Sequence, residues 1–536
     1  MKRRRDVGLG AAVIQLALAA TTAAEAQDIE VRAHLMGQTL PAGYFETVRE
    51  RPDFFEIDRG WTRRTAQATA QRSAVTGVLP LLVINALFSD SPPPTVSEVD
   101  IQQSLFDGPN PDGTVQQFYT EVSGGRFTVS GMSVPWVQTS LTRDTVVGMN
   151  FGLGSDALTG PFLVEALTGA DSLLDFGQFD NDGPDGIPNS GDDDGFVDAV
   201  AFHFSEIAAS CGGNGIWPHR SRIQNWTGSA YASSDVRPDS QPIFVDSYII
   251  QSAVTCDGSA VAKASTIAHE LGHVLGLPDY YDSTEGILPE QRRWVLGCWS
   301  LMAAGAWGCG TVDRNSVDRP THMAAWEKIQ LGWATEQLVD SVLDSTLTLQ
   351  PIQVGETVLR IPLSSNEFLL AEYRTQTGFD QGLPASGVLI YHIDPQLPLR
   401  PCLACRKVYQ VALVEADGDS TLIKNAAQGG NRGEPEDAFA LAGPERLTNG
   451  TNPTLRLNEG PNAPVMIHRI AVENGVANLT ISTISIPASS LLESFLQNGA
   501  APLNQAQQDF LDLFGNQNGR YDVGDLRAFL GDNPVN

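Results

Sequence analysis

His269-Glu270-Leu271-Gly272-His273-Val274-Leu275-Gly276-Leu277-Pro278-Asp279 decides how this chain is read. Ile267, Leu271, Val274 and Leu275 recur at helical spacing through it, so the stretch 261–275 is expected to be a helix. At about 3.6 residues per turn, His269 and His273 stack on one face. Two imidazoles so placed reach a single Zn²⁺ at roughly 2.0–2.1 Å. Glu270, beside the first histidine, is the expected general base toward water at the metal. Gly276 suits the left-handed residue that ends a helix, and Pro278 suits the exit. Asp279 then returns as a third ligand and leaves a fourth position open, which a closed structural zinc site does not do.

Upstream, Val78-Leu79-Pro80-Leu81-Leu82-Val83-Ile84-Asn85 is a continuous apolar run of the buried-strand kind, and 197–204 is a second. Strand-like and helical runs alternate from about 77 to 335. Downstream the pattern changes. Short β-type runs at 345–350, 357–362, 367–373, 387–393, 408–414 and 476–483 lie between Gly, Pro and Asn turns, as in a β-sandwich. Two helical runs around Gly515-Asn516-Gln517-Asn518-Gly519 close the chain. The expected class is α+β. A zinc-site domain over 77–338 is followed by a β-sandwich-like domain over 339–485. A linker and small helix-loop-helix, dockerin- or EF-hand-like, fill 486–536.

The first residues address compartment. Lys2-Arg3-Arg4-Arg5, an apolar stretch and Ala24-Glu25-Ala26 predict a signal peptide over 1–26. A secreted protein, extracellular or periplasmic, is expected, without a stable membrane span after cleavage. Residues 27–76 are charge-balanced and read as a propeptide or N-terminal extension. Six cysteines in an exported chain imply disulfides. The preferred pairs are the close ones, Cys298–Cys309 and Cys402–Cys405, leaving Cys211–Cys256.

The formal charge is −29 over 536 residues, with 63 acidic and 34 basic side chains. Such an excess repels phosphate backbones, so nucleic acid is excluded as a partner and cations are favoured. Part of it sits in Asp175–Asp198, and no Lys or Arg occurs between Arg143 and Arg220. Aspartates alternating with glycines supply oxygens on a bent backbone, so Asp180, Asp182, Asp192, Asp194 and Asp198 are candidate structural Ca²⁺ ligands. The alternative is a solvated acidic loop. Asn516, Asn518, Asp522 and Asp525 form a second, EF-hand-like candidate with Gly519 at the turn, although Phe514 occupies the first ligand position and cannot coordinate.

Met302 lies in the small-residue stretch Gly297-Cys298-Trp299-Ser300-Leu301-Met302-Ala303-Ala304-Gly305, a few dozen residues past the zinc helix. It is expected to pack beneath the histidines as a metzincin Met-turn. Together with Ala324-Ala325-Trp326-Glu327-Lys328-Ile329-Gln330-Leu331-Gly332-Trp333, these motifs resemble the immune inhibitor A-type secreted metallopeptidases. Similarity continues through Ile216-Trp217-Pro218-His219-Arg220, Glu372-Tyr373-Arg374 and Leu389-Ile390-Tyr391-His392-Ile393-Asp394. The resemblance covers about 77–485. It implies a metzincin-like zinc peptidase domain, calcium-supported structure and a β-rich domain behind the catalytic one. The family's zinc ligands carry over to His269, His273 and Asp279, and its catalytic glutamate to Glu270. Many metzincins have a tyrosine where Ala304 stands, so another group must stabilise the oxyanion. His219 is one candidate, and a satisfied core histidine is the other reading of it.

The expected activity is a zinc metalloendopeptidase acting on protein or peptide substrates, as a monomer. Two alternatives are a zinc hydrolase of non-protein amides or esters and a calcium-dependent surface binding protein. The intact His/Glu/His/Asp set argues against the last.

Overall fold

Residues 40–51, 53–55, 61–71, 73–282, 292–306, 308–309, 319–398, 408–448, 450–458, 465–484, 486, 488–496 and 503–530 are described by a computed structural model. The expected signal peptide and the Cys402–Cys405 pair lie outside them.

Strand β1 (Gly77–Leu87) sits between β2 (Phe127–Ser133) and β4 (Ala199–Phe204), parallel to both, while the short β3 (Val137–Gln138) extends the β2 side. Both faces of β1 are covered, which is why its sequence is continuously apolar. Leu79, Leu81 and Val83 enter one core; Leu82, Ile84 and Ala86 enter the other. Strand β5 (His219–Arg222) is the antiparallel edge, the hairpin β6 (Tyr231–Val236) and β7 (Pro242–Val245) stands apart, and β8 (Ser247–Ser252) completes a six-stranded sheet.

Helices α1 (Ala42–Glu50) and α2 (Trp61–Gln71) precede the sheet; α3 (Val115–Val122) and α4 (Thr159–Ala170) lie on its opposite faces. The expected helix is α5 (Ala264–Val274). Ile267, Leu271, Val274 and Leu275, the periodic residues of the sequence, all enter the same core as Leu79 and Leu81. Helix α6 (Ala325–Gln330) follows the Met302 segment.

Strand β9 (Thr335–Leu338) pairs with β11 (Thr357–Pro362), so the second sheet begins slightly before the expected junction at 338. Its order is β14-β13-β12-β11-β9, with β12 (Phe368–Arg374), β13 (Gly387–Ile393) and β14 (Val411–Leu413). A three-stranded sheet of β10 (Val342–Leu349), β16 (Val476–Thr483) and β15 (Val465–Glu473) shares a core with it: Leu359, Leu369 and Ile390 meet Leu349, Ile467 and Leu479. Strand β15 and β9 were not foreseen. The other face of the five-stranded sheet, through Leu370, Leu389 and Tyr391, packs into the core that also holds α5. The two units therefore share buried surface.

Helices α7 (Ala488–Leu496), α8 (Gln505–Phe514) and α9 (Val523–Leu530) end the described chain, with Phe510, Phe514 and Phe529 packed together beside Met466 of β15. Two disulfides are present, Cys211–Cys256 and Cys298–Cys309, both expected.

Candidate metal centre

The exit of α5 builds the centre. Gly276 has φ +85°, the left-handed region, and Leu277 N–H donates to the Gly272 carbonyl at 3.0 Å, closing a Schellman turn. That turn presents the Leu277 carbonyl to His273, whose Nδ1 lies 2.8 Å from it. His269 Nδ1 lies 3.0 Å from the Leu301 carbonyl, beside Met302. Each Nδ1 must then carry the proton, because a carbonyl oxygen only accepts. Each Nε2 then presents its lone pair as an acceptor.

Those lone pairs converge. The two Nε2 atoms are 3.2 Å apart, and Asp279 Oδ1 is 3.3 Å from the first and 3.4 Å from the second. Three acceptors at such spacing repel one another unless a cation sits among them. Ligands about 2.0–2.1 Å from a tetrahedral zinc stand about 3.3–3.4 Å apart, which matches this triangle. The donor set fits zinc. All three side chains are buried, as is Glu270 at 1% exposure.

Two neighbours complete the arrangement. Met302 packs against α5 at Gly272, where an added Cβ would meet its sulfur at 2.3 Å. Glycine is required there by that close approach. Arg220 Nη1, on edge strand β5, lies 3.1 Å from Glu270 Oε2, with both side chains buried. Arg220 was quoted in the sequence only as part of a motif, and fifty positions separate it from its partner. Next to it, His219 has Nδ1 at 2.7 Å from the Trp217 carbonyl and Nε2 at 2.9 Å from the Tyr248 hydroxyl. Both its nitrogens are engaged, so of its two readings the core histidine is the one the geometry favours.

The Met302 segment is braced from behind. Ser300 Oγ donates toward the Glu327 carboxylate at 2.9 Å, and Arg374 Nη1 donates to the Trp299 carbonyl at 3.1 Å. Burial pushes Glu327 up to about 7 despite its hydrogen bonds from Ala324 N–H and Ser300.

Of the five aspartates expected in the acidic stretch, Asp180 and Asp182 come together, and Asp193 joins them. Asp180, Asp182 and Asp193 bring carboxylate oxygens within 4.8 Å of one another. Asp192, expected in that set, points outward, and its neighbour Asp193 takes the inward place at 5% exposure. Burial, then the charges of Asp193 and Asp194, push Asp180 up to about 8; burial and Asp194 push Asp182 up to about 6. Buried oxygens of Asp180, Asn181 and Asp198 (Oδ1 in each) have no hydrogen-bond partner. Groups from far upstream reach the stretch: Arg63 pairs with Asp194, Arg64 Nη1 donates to the Gly183 carbonyl at 3.0 Å, and Trp61 Nε1 donates to Asp198 Oδ2 at 2.8 Å.

In the C-terminal loop, Asn518 Nδ2 donates to Asp522 at 3.0 Å and Asn516 lies 3.4 Å from it. Asp525 spends Oδ1 on Asn516 N–H and Oδ2 on Asp522 N–H, as the anchor of the loop. Asp512, not singled out in the sequence, accepts from Asn518 and Gly519 N–H.

Residues 100–334 match the family described as immune inhibitor A peptidase M6, catalytic domain. That stretch is similar to the catalytic domain of M6 peptidases. The M6 range includes His269, Glu270, His273, Asp279, Arg220 and Met302, and ends one residue before β9. Among similar proteins are pre-pro-metalloprotease PrtV of Vibrio cholerae serotype O1, 27% identical over 237 residues (42% of this chain, 24% of PrtV), and Immune inhibitor A of Bacillus thuringiensis subsp. alesti, 28% identical over 228 residues (36% and 28%). The chain thus covers about a quarter of the length of these curated relatives. Among the described residues no helix is long and apolar enough to cross a membrane.

Proposed function

We propose that this chain is a secreted zinc-dependent endopeptidase that hydrolyses peptide bonds with Glu270 as general base. The observation that carries the reading is the triangle of unprotonated acceptors on His269, His273 and Asp279 beside a buried carboxylate. Zinc bound there supplies Lewis acidity toward water and the scissile carbonyl. The chain's own residues do the rest. The carbonyls of Leu301 and Leu277 keep each imidazole in the tautomer that presents Nε2. Glu270 takes the proton of the attacking water and passes it to the leaving amine. Arg220 holds one oxygen of that carboxylate and so helps to orient it.

Secretion rests on the basic and apolar N-terminus of the sequence. Residues 27–76 are assigned as the propeptide or extension, and Asp180, Asp182, Asp193 and Asp198 as a structural calcium site supported by the orphaned oxygens among them.

Casein hydrolysis by purified, zinc-loaded, processed protein tests the reading. Activity abolished by phenanthroline and by Glu270→Ala is expected. Cleavage of small amides or esters without any protein substrate would move the assignment to a non-protein hydrolase, and no cleavage at all would overturn it.

A further inference from the structure

A second acidic cluster lies behind the Met302 segment, after β14. Glu415, Asp417 and Asp419 each bring a carboxylate oxygen within 4.8 Å of the others. The loop is held in shape by its own hydrogen bonds. Glu415 Oε2 accepts from Thr421 Oγ1 at 3.0 Å and Leu422 N–H at 3.2 Å, while Asp417 and Asp419 accept N–H groups two residues on. Such a cluster alone would be only an acidic loop.

Asp437 is the independent observation. It is fully buried, and its main chain is tied to the loop by Ala416 N–H donating to the Asp437 carbonyl at 3.0 Å. Its Oδ2 accepts from Trp299 Nε1 and Glu434 N–H, both at 2.9 Å. Its Oδ1 has no hydrogen-bond partner. After burial, the charge of Asp437 is the main influence pushing the Glu415 carboxyl up from its ordinary value. A buried carboxylate oxygen without a donor is costly, and more so beside further carboxylates. Lys424 does not relieve them, since its ammonium donates to the Asp419 main-chain carbonyl.

We infer that Glu415, Asp417, Asp419 and Asp437 form a divalent-cation site of the calcium type, separate from both the zinc triangle and the acidic stretch at 180–198. The donors are all oxygen, which suits a hard cation and not zinc, and water completes the six to eight ligands that calcium takes. The position gives the ion a role. Asp437 joins the cluster to the indole of Trp299, and the same strap accepts hydrogen bonds from the chain leading to Met302: Val295 N–H to the Leu422 carbonyl at 2.9 Å, Cys298 N–H to the Arg432 carbonyl at 2.6 Å. An ion here clamps the β-rich unit onto the floor of the metal centre.

The test is calcium stoichiometry by equilibrium dialysis on the full processed chain. Asp417→Asn/Asp419→Asn is expected to bind one calcium fewer per chain than wild type, and Asp180→Asn/Asp182→Asn to lose a different one, so that combining the pairs removes both. Circular dichroism checks folding; if the pair is unstable, Asp419→Asn alone, at an exposed position, is expected to weaken one binding event at least tenfold. Unchanged calcium number and affinity in these variants would overturn the assignment. Loss of binding only in the 180–198 variants would overturn it too, while leaving the peptidase reading untouched.

Discussion

The guanidinium of Arg220 lies 3.1 Å from the carboxylate of Glu270, both buried, on elements that meet only in the folded chain. A guanidinium so placed stabilises the charged carboxylate and fixes its orientation. Arg220→Ala is therefore expected to lower kcat by about 10–100-fold with little change in KM, the size of a general-base contribution partly lost. Arg220→Lys keeps the charge without the fork and should recover only part of it. Steady-state kinetics on a peptide substrate checks this; wild-type kcat in Arg220→Ala would show that Glu270 needs no such partner.

Holding a metal and using it are separable here. Asp279→Ala removes one corner of the triangle and leaves two lone pairs facing each other at 3.2 Å. It should lower bound zinc as well as activity. Glu270→Ala removes no ligand, so it should keep about one zinc per chain and lose activity by about 10²–10⁴-fold. Zinc content by plasma spectrometry alongside the activity assay separates the two. Zinc-free Glu270→Ala would assign Glu270 to the ligand set.

What could be read from the sequence was local. The His269/His273/Asp279 set was legible because helical spacing and a glycine exit fix it within eleven residues. Strand β1 was legible as well, because an unbroken apolar run marks a strand buried on both faces. What failed was anything whose meaning lies across the chain. In a run of three aspartates, the choice of Asp193 over Asp192 depends on the turn that aims one inward. Trp61, Arg63 and Arg64 lay in a segment without a core pattern, yet they sit on the acidic stretch more than a hundred positions away. Motifs far apart, Glu327 in one and Arg374 in another, meet at the Ser300 hydroxyl and the Trp299 carbonyl. Their spacing in sequence says nothing of that.

His203 on β4 carries an acid-sensitive part of the stability. It is fully buried; Nε2 lies 3.2 Å from the Gln251 amide and Nδ1 has no partner. Burial lowers its pKa to about 4 from an ordinary 6.5. The folded state therefore binds a proton less readily than the unfolded one. The stabilisation is complete above about pH 6.5 and is lost as pH falls toward 4. At pH 5 the loss is about 2 kcal/mol relative to neutral pH. His203→Asn should flatten this part of the profile, so that urea midpoints at pH 7.5 and 5.0 differ less than in wild type. Equal differences in the two proteins would place the acid sensitivity elsewhere.

Trp61 makes the residues before β1 part of the folded core. Its ring is fully buried, edge-on to Phe127 at 5.2 Å, with the Arg64 guanidinium stacked 4.3 Å above and its N–H on Asp198. Loss of so large a buried aromatic costs about 3–5 kcal/mol, and loss of a hydrogen bond to a buried carboxylate about 1–3 kcal/mol. Trp61→Ala should therefore lower Tm markedly, and Trp61→Phe, which keeps most of the volume but leaves Asp198 without that donor, by a smaller step. If processing removes 27–76, the cleaved chain should melt below the intact one, and Trp61→Ala in the intact chain should erase most of that gap. Calcium is expected to narrow the difference, because a cation bound at the proposed acidic site would offset the loss of the Trp61 hydrogen bond and of the Arg63 and Arg64 charges. Thermal melts of intact, cleaved and Trp61→Ala protein, each with and without calcium, measure all of it; identical melting of cleaved and intact chains would show that this helix contributes nothing to the stability of the domain it covers.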